Sequence, residues 1–448
     1  MLFGVPGLKK SSIALVVLIA ISTLLISCSG KATTTSGSTA SGLKFRAFVS
    51  NPLSPSSNVT TRPLLNIVDA SKDTQTSFAV TFNSGLSNAA QSPGLMAESE
   101  DRKFTMVYSD PDHLLLIVDN KIENLSTGTG SSAILGISLP DFTESMFIGL
   151  HNDRAYAAVP NAPVPPLNPG AVVVVSMGTG AIAASIPVAG VRHVFQSHDG
   201  NHILALSDNT STIAMISPSL IGTTTNPVVG TLNTGFDHPV WAIFSSDDST
   251  AYVLNCGPEC GGTQASVAVV NVTQPIPVIT ATIDVRGASI GLLTGSTLYV
   301  AGTPPNLPCV AGTTAAQHCG TVDVVNLGTQ TATAVANLIT DGHHTRMELG
   351  ANGQIFIGAQ GCTSIVQSGS SPEVRGCLSI LNTNNNAVVF PPQIGDVTGM
   401  QSIDGRNVVY VCQNRNLWIY DTTTDKLLVQ QTPIDIIGDA VDVKLVDF

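Results

Sequence analysis

Residues Ser245–Asn271 read SSDDSTAYVLNCGPECGGTQASVAVVN, and the order of elements in that stretch decides the fold. A tight polar turn leads into a short strand, Ala251-Tyr-Val-Leu-Asn255. A loop carrying two cysteines follows, and then a five-residue apolar strand, Val267–Asn271, that stops on a polar residue. The last element recurs along the chain. It appears as Leu65–Asp69 (LNIVD), Leu115–Asp119 (LLIVD), Val172–Ser176 (VVVVS) and Ile213–Ser217 (IAMIS), and after residue 271 as Val322–Asn326 (VDVVN), Leu378–Asn382 (LSILN) and Leu417–Asp421 (LWIYD). The eight copies end about fifty residues apart, and a period in that range with several short strands per repeat belongs to propeller blades.

The surroundings repeat as well. Leu298–Gly302, Ile355–Ala359 and Val409–Cys412 are upstream strands like Ala251–Asn255, and turns such as Ser197-His-Asp-Gly200 and Ile403-Asp-Gly405 precede strands of this kind. Asn and Gly tolerate the positive φ that two-residue hairpins require. Four strands per repeat, named a to d from the centre outwards, account for the pattern. The first repeat starts at strand b, Phe45–Ser50, while a spare strand, Ala440–Val446, ends the chain. The expected fold is therefore all-β: a single β-propeller of four-stranded blades, eight in number with seven as the alternative, its ring closed by a C-terminal strand that completes the first blade.

Composition agrees. Charged residues are 11% of the 448, against about 25% in an average soluble domain. Hydrophobic residues are 43% and aromatics 5%, so Val, Ile, Leu and Ala carry the apolar content. The formal charge of −12 becomes −14 without Lys9 and Lys10, which argues against nucleic acid as a partner.

Polar turn, Tyr-Val-x-Asn (best at Tyr252–Asn255) and a Val/Ile strand ending in Asp together resemble the bacterial YVTN-type β-propeller repeat, over roughly residues 44–448. The resemblance implies the fold. Its relatives include surface antigens, adhesins, lactonase-like enzymes and redox-protein domains, so it leaves the activity open.

The first 27 residues read as an export signal: Lys9 and Lys10, then an apolar run from Ile13 to Ile26 that is shorter than the ~20 residues a spanning helix needs. Leu25-Ile-Ser-Cys28 resembles the lipobox of bacterial lipoproteins, which implies lipidation of Cys28 and, with Ser29 following, an outer-membrane or cell-surface address. An ordinary signal peptide with a chance cysteine is the alternative. Residues 28–43 then form the lipidated cysteine and a Ser/Thr/Gly tether spanning about 20 Å, and 44–448 the propeller. The membrane is expected as a partner through that lipid alone.

Six further cysteines fall in three consecutive b–c loops: Cys256 with Cys260, Cys309 with Cys319, and Cys362 with Cys377. In an exported chain this spacing predicts local disulfides, and closing the loop from 362 to 377 would stabilise the fold by about 3 kcal/mol. A thiolate–imidazole metal site drawing on Cys256, Cys260, His318 and Cys319 is the alternative. Cys412 reads as a buried free thiol.

In propellers the d-to-a connections rim the central channel. The residues that start each strand a are Glu144, Arg192, His193, Asp237, His238, Arg286, Asp341, His343, His344, Arg346, Asp396 and Asp439. Convergent His, Asp and Arg at a channel mouth could hold an anionic ligand, an acid/base pair or one divalent metal, with His193, His238 and His344 as its ligands. Polar strand ends that tie neighbouring blades are the plainer explanation. Adjacent strand residues face opposite ways, so one of His343 and His344 looks into the channel. Nucleophile-elbow, phosphate-loop and His-Glu-x-x-His motifs do not occur. The expected function is an envelope-anchored scaffold that binds a protein, small molecule or glycan. A metal-dependent lactonase-like hydrolase at the channel mouth is the alternative.

Overall fold

The computed structural model describes residues 42–52, 63–81, 92–110, 112–121, 134–305, 319–363, 365–368, 371–374, 376–428, 433–436 and 438–447. The leader, Cys28 and most of the tether lie outside them. The chain divides into Met1–Thr39 and Ala40–Phe448, and the second unit carries every described strand.

Eight four-stranded antiparallel sheets follow one another in chain order, which makes the ring eight-bladed. Blade five is the pattern for the rest: Pro239–Phe244 (a), Thr250–Asn255 (b), Ser266–Asn271 (c) and Val278–Asp284 (d). Strand a is Pro93–Glu98 in blade two, Ser145–Ile148 in three, His193–Gln196 in four, Ile290–Thr294 in six, His343–Leu349 in seven and Val397–Ser402 in eight. Blade one takes its strand a from the chain end. Val443–Leu445 pairs antiparallel with Arg46–Ser50, setting Val49 opposite Val443 and Ala47 opposite Leu445.

The apolar runs are explained by where the core sits, which is between consecutive blades. Val173 and Val175 pack against blade two, with Leu115 and Ile117. Val172 and Val174, one residue out of phase, pack against blade four, with Ile203 and Ala205. A strand c is thus buried on both faces and cannot alternate with polar residues. Its terminal Asp or Asn has a separate role in the c–d turn. Asp69, Asp119, Asn271, Asn382 and Asp421 each accept the backbone N–H two residues on, at 2.7–3.0 Å, an Asx turn that ends the strand and starts the hairpin.

Cys256–Cys260 and Cys362–Cys377 are disulfides, which sets aside the thiolate metal site. Cys319 is also disulfide-bonded; Cys309, its expected partner, and His318 lie outside the described residues. Cys412 is a buried free thiol. One element was not expected: the b–c loop of blade seven holds a hairpin of its own, Ile365–Ser368 with Ser371–Val374.

Candidate functional site

Most charged residues at the start of strand a hold loops or blades in place. Asp237 accepts hydrogen bonds from the Thr263 and Gln264 N–H groups at 2.7 and 2.8 Å and pairs with His238 at 2.9 Å, so it clamps the b–c loop of blade five. Burial pushes its carboxyl up, but the hydrogen bonds from His238, Gln264 and Thr263 outweigh that and hold it well below the carboxylate range. Asp341 and Asp396 do the same for blade seven, accepting from Thr363 and Gly361 at 2.9 and 2.8 Å. Arg286 is tied to Asp323 at 2.8 Å and to the Val322 and Val335 carbonyls of its own blade. Asp439 pairs with Arg415 at 3.4 Å. Arg192 bridges Glu144 of blade three at 3.0 Å and Asp208 of its own b–c turn at 3.4 Å.

The histidines do not converge. His344 is 1% exposed; its Nε2–H donates to the Thr340 carbonyl at 3.0 Å, and Thr303 Oγ1 lies 3.5 Å from Nδ1. Burial pushes its pKa down to about 4, so it is neutral and enclosed. Of the pair, His343 is the exposed one, because a bulge between His344 and Arg346 interrupts the alternation of the strand. Its partner is Glu259 at 3.4 Å, from the loop that Cys256–Cys260 closes. That hydrogen bond raises the His343 pKa against burial. The other Glu259 oxygen accepts the Thr303 N–H of blade six at 2.7 Å, so this short loop reaches over two neighbouring blades. His193 is within electrostatic reach of His343 and is pushed down to about 4, chiefly by burial. Among the described residues no three His, Cys, Asp or Glu side chains are grouped to hold a metal ion. The structure therefore does not bring His193, His238 and His344 together as a metal site.

Below the rim the channel wall frames an open cavity of about 1230 Å³. The third residue of strand a is apolar in five consecutive blades: Leu95, Phe147, Phe195, Trp241 and Leu292. All five line the cavity as an unbroken arc. Phe195 and Trp241 meet edge to face at 5.0 Å, and Phe147 stacks on Tyr156 behind it at 4.8 Å. The other three blades are different. Blade seven brings Arg346 to the lining, blade eight has Gly399, where a Cβ would meet Asp442 at 2.6 Å, and blade one has Lys444.

Glu98, at the end of strand a in blade two, also lines the cavity. One carboxyl oxygen is buried with no hydrogen-bond partner, and the other is 4.0 Å from Arg102. Burial pushes its pKa up to about 7; Lys444 and Arg102 oppose the shift, while Glu348 and Asp404 add to it. The folded state then holds a proton that the unfolded state has released between about pH 4.5 and 7, so stability falls as pH rises through that window. Replacing Glu98 by Gln is expected to remove this dependence and to leave the variant about 2 kcal/mol more stable than the wild type at pH 8, with a smaller difference at pH 4.5. Urea denaturation of both proteins at the two pH values measures it. A difference independent of pH would show that Glu98 is solvated.

Sequence reasoning thus located the rim residues, and the structure gives most of them partners. It missed Glu259, Glu98 and the arc. The available signal for the arc was three aromatics at one strand position in a chain with 5% aromatics.

No protein-family profile matches the chain, and no curated protein does. Solved structures do. The dihydro-heme d1 dehydrogenase NirN superposes with a TM-score of 0.58 at 12% identity, covering 90% of this chain and 75% of that one. The Kuenenia stuttgartiensis hydrazine synthase gives 0.52 at 14%, covering 77% and 96%. The periplasmic gluconolactonase PpgL of Pseudomonas aeruginosa gives 0.46 at 12%, covering 90% and 98%. At such identities the likeness is one of fold: this chain is an eight-bladed propeller.

Proposed function

We propose that this chain is a binding propeller of the bacterial cell envelope, exported by its leader, held by a lipid on Cys28, and receiving a small apolar ligand in its central channel. The observation that carries the reading is the arc of five apolar side chains, three of them aromatic, facing one cavity. Concave, largely apolar cavities with a few polar groups are where small molecules bind, and this one exceeds the usual range of about 300–1,000 Å³. The acids and bases of the rim are engaged in clamps and ties, while the cavity is lined by strand a and the a–b turns, with Ser197, Ser246 and Ser296 among its polar groups. Hydrolysis by a rim-bound metal has no support in the placement of the three histidines.

The chain has two tryptophans, so in the unit Ala40–Phe448 a Trp418→Phe substitution leaves Trp241 as the reporter. The neutral probe N-phenyl-1-naphthylamine is expected to bind once per chain with energy transfer from Trp241, and Phe195→Arg is expected to abolish it. Absence of saturable binding, or binding unchanged in Phe195→Arg, would overturn the channel reading. The anchor is checked separately. Cys28→Ser in the full chain is expected to release the protein from membranes, and a variant still sedimenting with them would refute lipidation.

A further inference from the structure

Arg346 has an environment unlike that of any other arginine in the described structure. Each of the others has a carboxylate oxygen within 4.0 Å. Arg346 lines the channel and donates from one guanidinium nitrogen to the carbonyl of its neighbour Thr345 at 2.9 Å. Among the described residues no carboxylate lies within ion-pair distance of it. The contrast matters because the chain has 31 acidic against 19 basic residues, so an arginine without an acidic partner is not explained by a shortage of acids.

A guanidinium is planar, permanently charged and carries five donors in a fork that matches a carboxylate. At Arg346 that fork stands in a cavity whose wall across blades two to six carries the apolar, partly aromatic arc beside polar residues such as Glu100, Gln196 and Ser246. Resting on the channel reading above, we infer that the ligand is a monocarboxylate with a flat apolar body. The carboxylate pairs with Arg346 and the body lies against Phe147, Phe195 and Trp241. Two features set the charge at one. Among the described residues Arg346 is the only arginine in the lining, and Glu100 and Glu144 share the cavity, so a second negative charge would meet like charge.

The test is calorimetric titration of the unit Ala40–Phe448 with three probes of one shape: 2-naphthoate, neutral 2-naphthamide and cationic 2-naphthylmethylamine. The naphthoate is expected to bind at least about tenfold more tightly than the amide, as a charge-assisted hydrogen bond implies, and the amine most weakly. In Arg346→Gln the advantage of the naphthoate is expected to disappear, and in Arg346→Lys to survive only in part. Equal affinities, a preference for the amine, or a preference for the carboxylate that persists in Arg346→Gln would each overturn the assignment. So would failure of all three probes while N-phenyl-1-naphthylamine still binds. Failure of that neutral probe as well would instead remove the channel reading itself. Should Arg346→Gln not fold, the naphthoate-to-amide ratio in the wild type and in Arg346→Lys decides.

Discussion

Removal of residues 440–448 is expected to leave a protein that neither unfolds cooperatively nor runs as a monomer. The segment supplies strand a of blade one. Val443 and Leu445 belong to the cluster between blades eight and one, with Ala47, Val49 and Tyr410. Val446 belongs to the cluster between blades one and two, with Phe48 and Leu116. Each large aliphatic side chain buried there contributes about 1.5–3 kcal/mol, and together they approach the whole net stability of a domain, about 5–15 kcal/mol. The truncation also uncovers Arg46–Ser50 as an open strand edge, which invites pairing between molecules. Size-exclusion chromatography with thermal denaturation measures both effects. A monomeric truncated chain with a sharp transition would show that the closing strand is dispensable.

The second large effect concerns one side chain at the same seam. Arg46 is 1% exposed. Its guanidinium pairs with Asp447 at 2.7 Å and donates to the Asn120 carbonyl of blade two at 2.8 Å, so three segments meet on one charge. Removing one partner of a buried pair leaves the other charge uncompensated, at a cost of about 3–5 kcal/mol. Arg46→Ala is expected to lose stability in that range. Asp447→Ala should lose at least as much, because the charge it strands is the more deeply buried of the two. Denaturant titration of both single variants and the double variant separates the coupling from the individual losses. A loss below about 1 kcal/mol in Arg46→Ala would mean that water reaches the pair.

The parts of this fold that could be read beforehand are those where one constraint acts on neighbouring residues. Burial of strand c on both faces forces an unbroken apolar run such as Val172–Val175, and the Asx turn fixes the polar residue that ends it. The closing strand was legible as an apolar segment with no blade of its own. The site was legible only in part, because its contacts join blades. Nothing local to Glu144 announces Arg192, 48 residues away, and nothing local to Glu259 announces His343, 84 residues away. The choice between His343 and His344 turned on a bulge, which alternation by itself cannot foresee.

The arc at the third residue of strand a has a consequence for how such a protein diverges. In the five blades of the arc that residue faces the cavity and also packs against the clusters between blades, Leu95, Phe147, Phe195 and Leu292 each against one and Trp241 against two. A substitution at one such position therefore changes the lining of the channel and the fit between neighbouring blades together. Selection for a new ligand can proceed one blade at a time, but each step has to preserve the volume that holds two blades together. Descendants of one ancestral ring could then share architecture and little else, with the record of what each came to hold written in the few separated residues that face the channel.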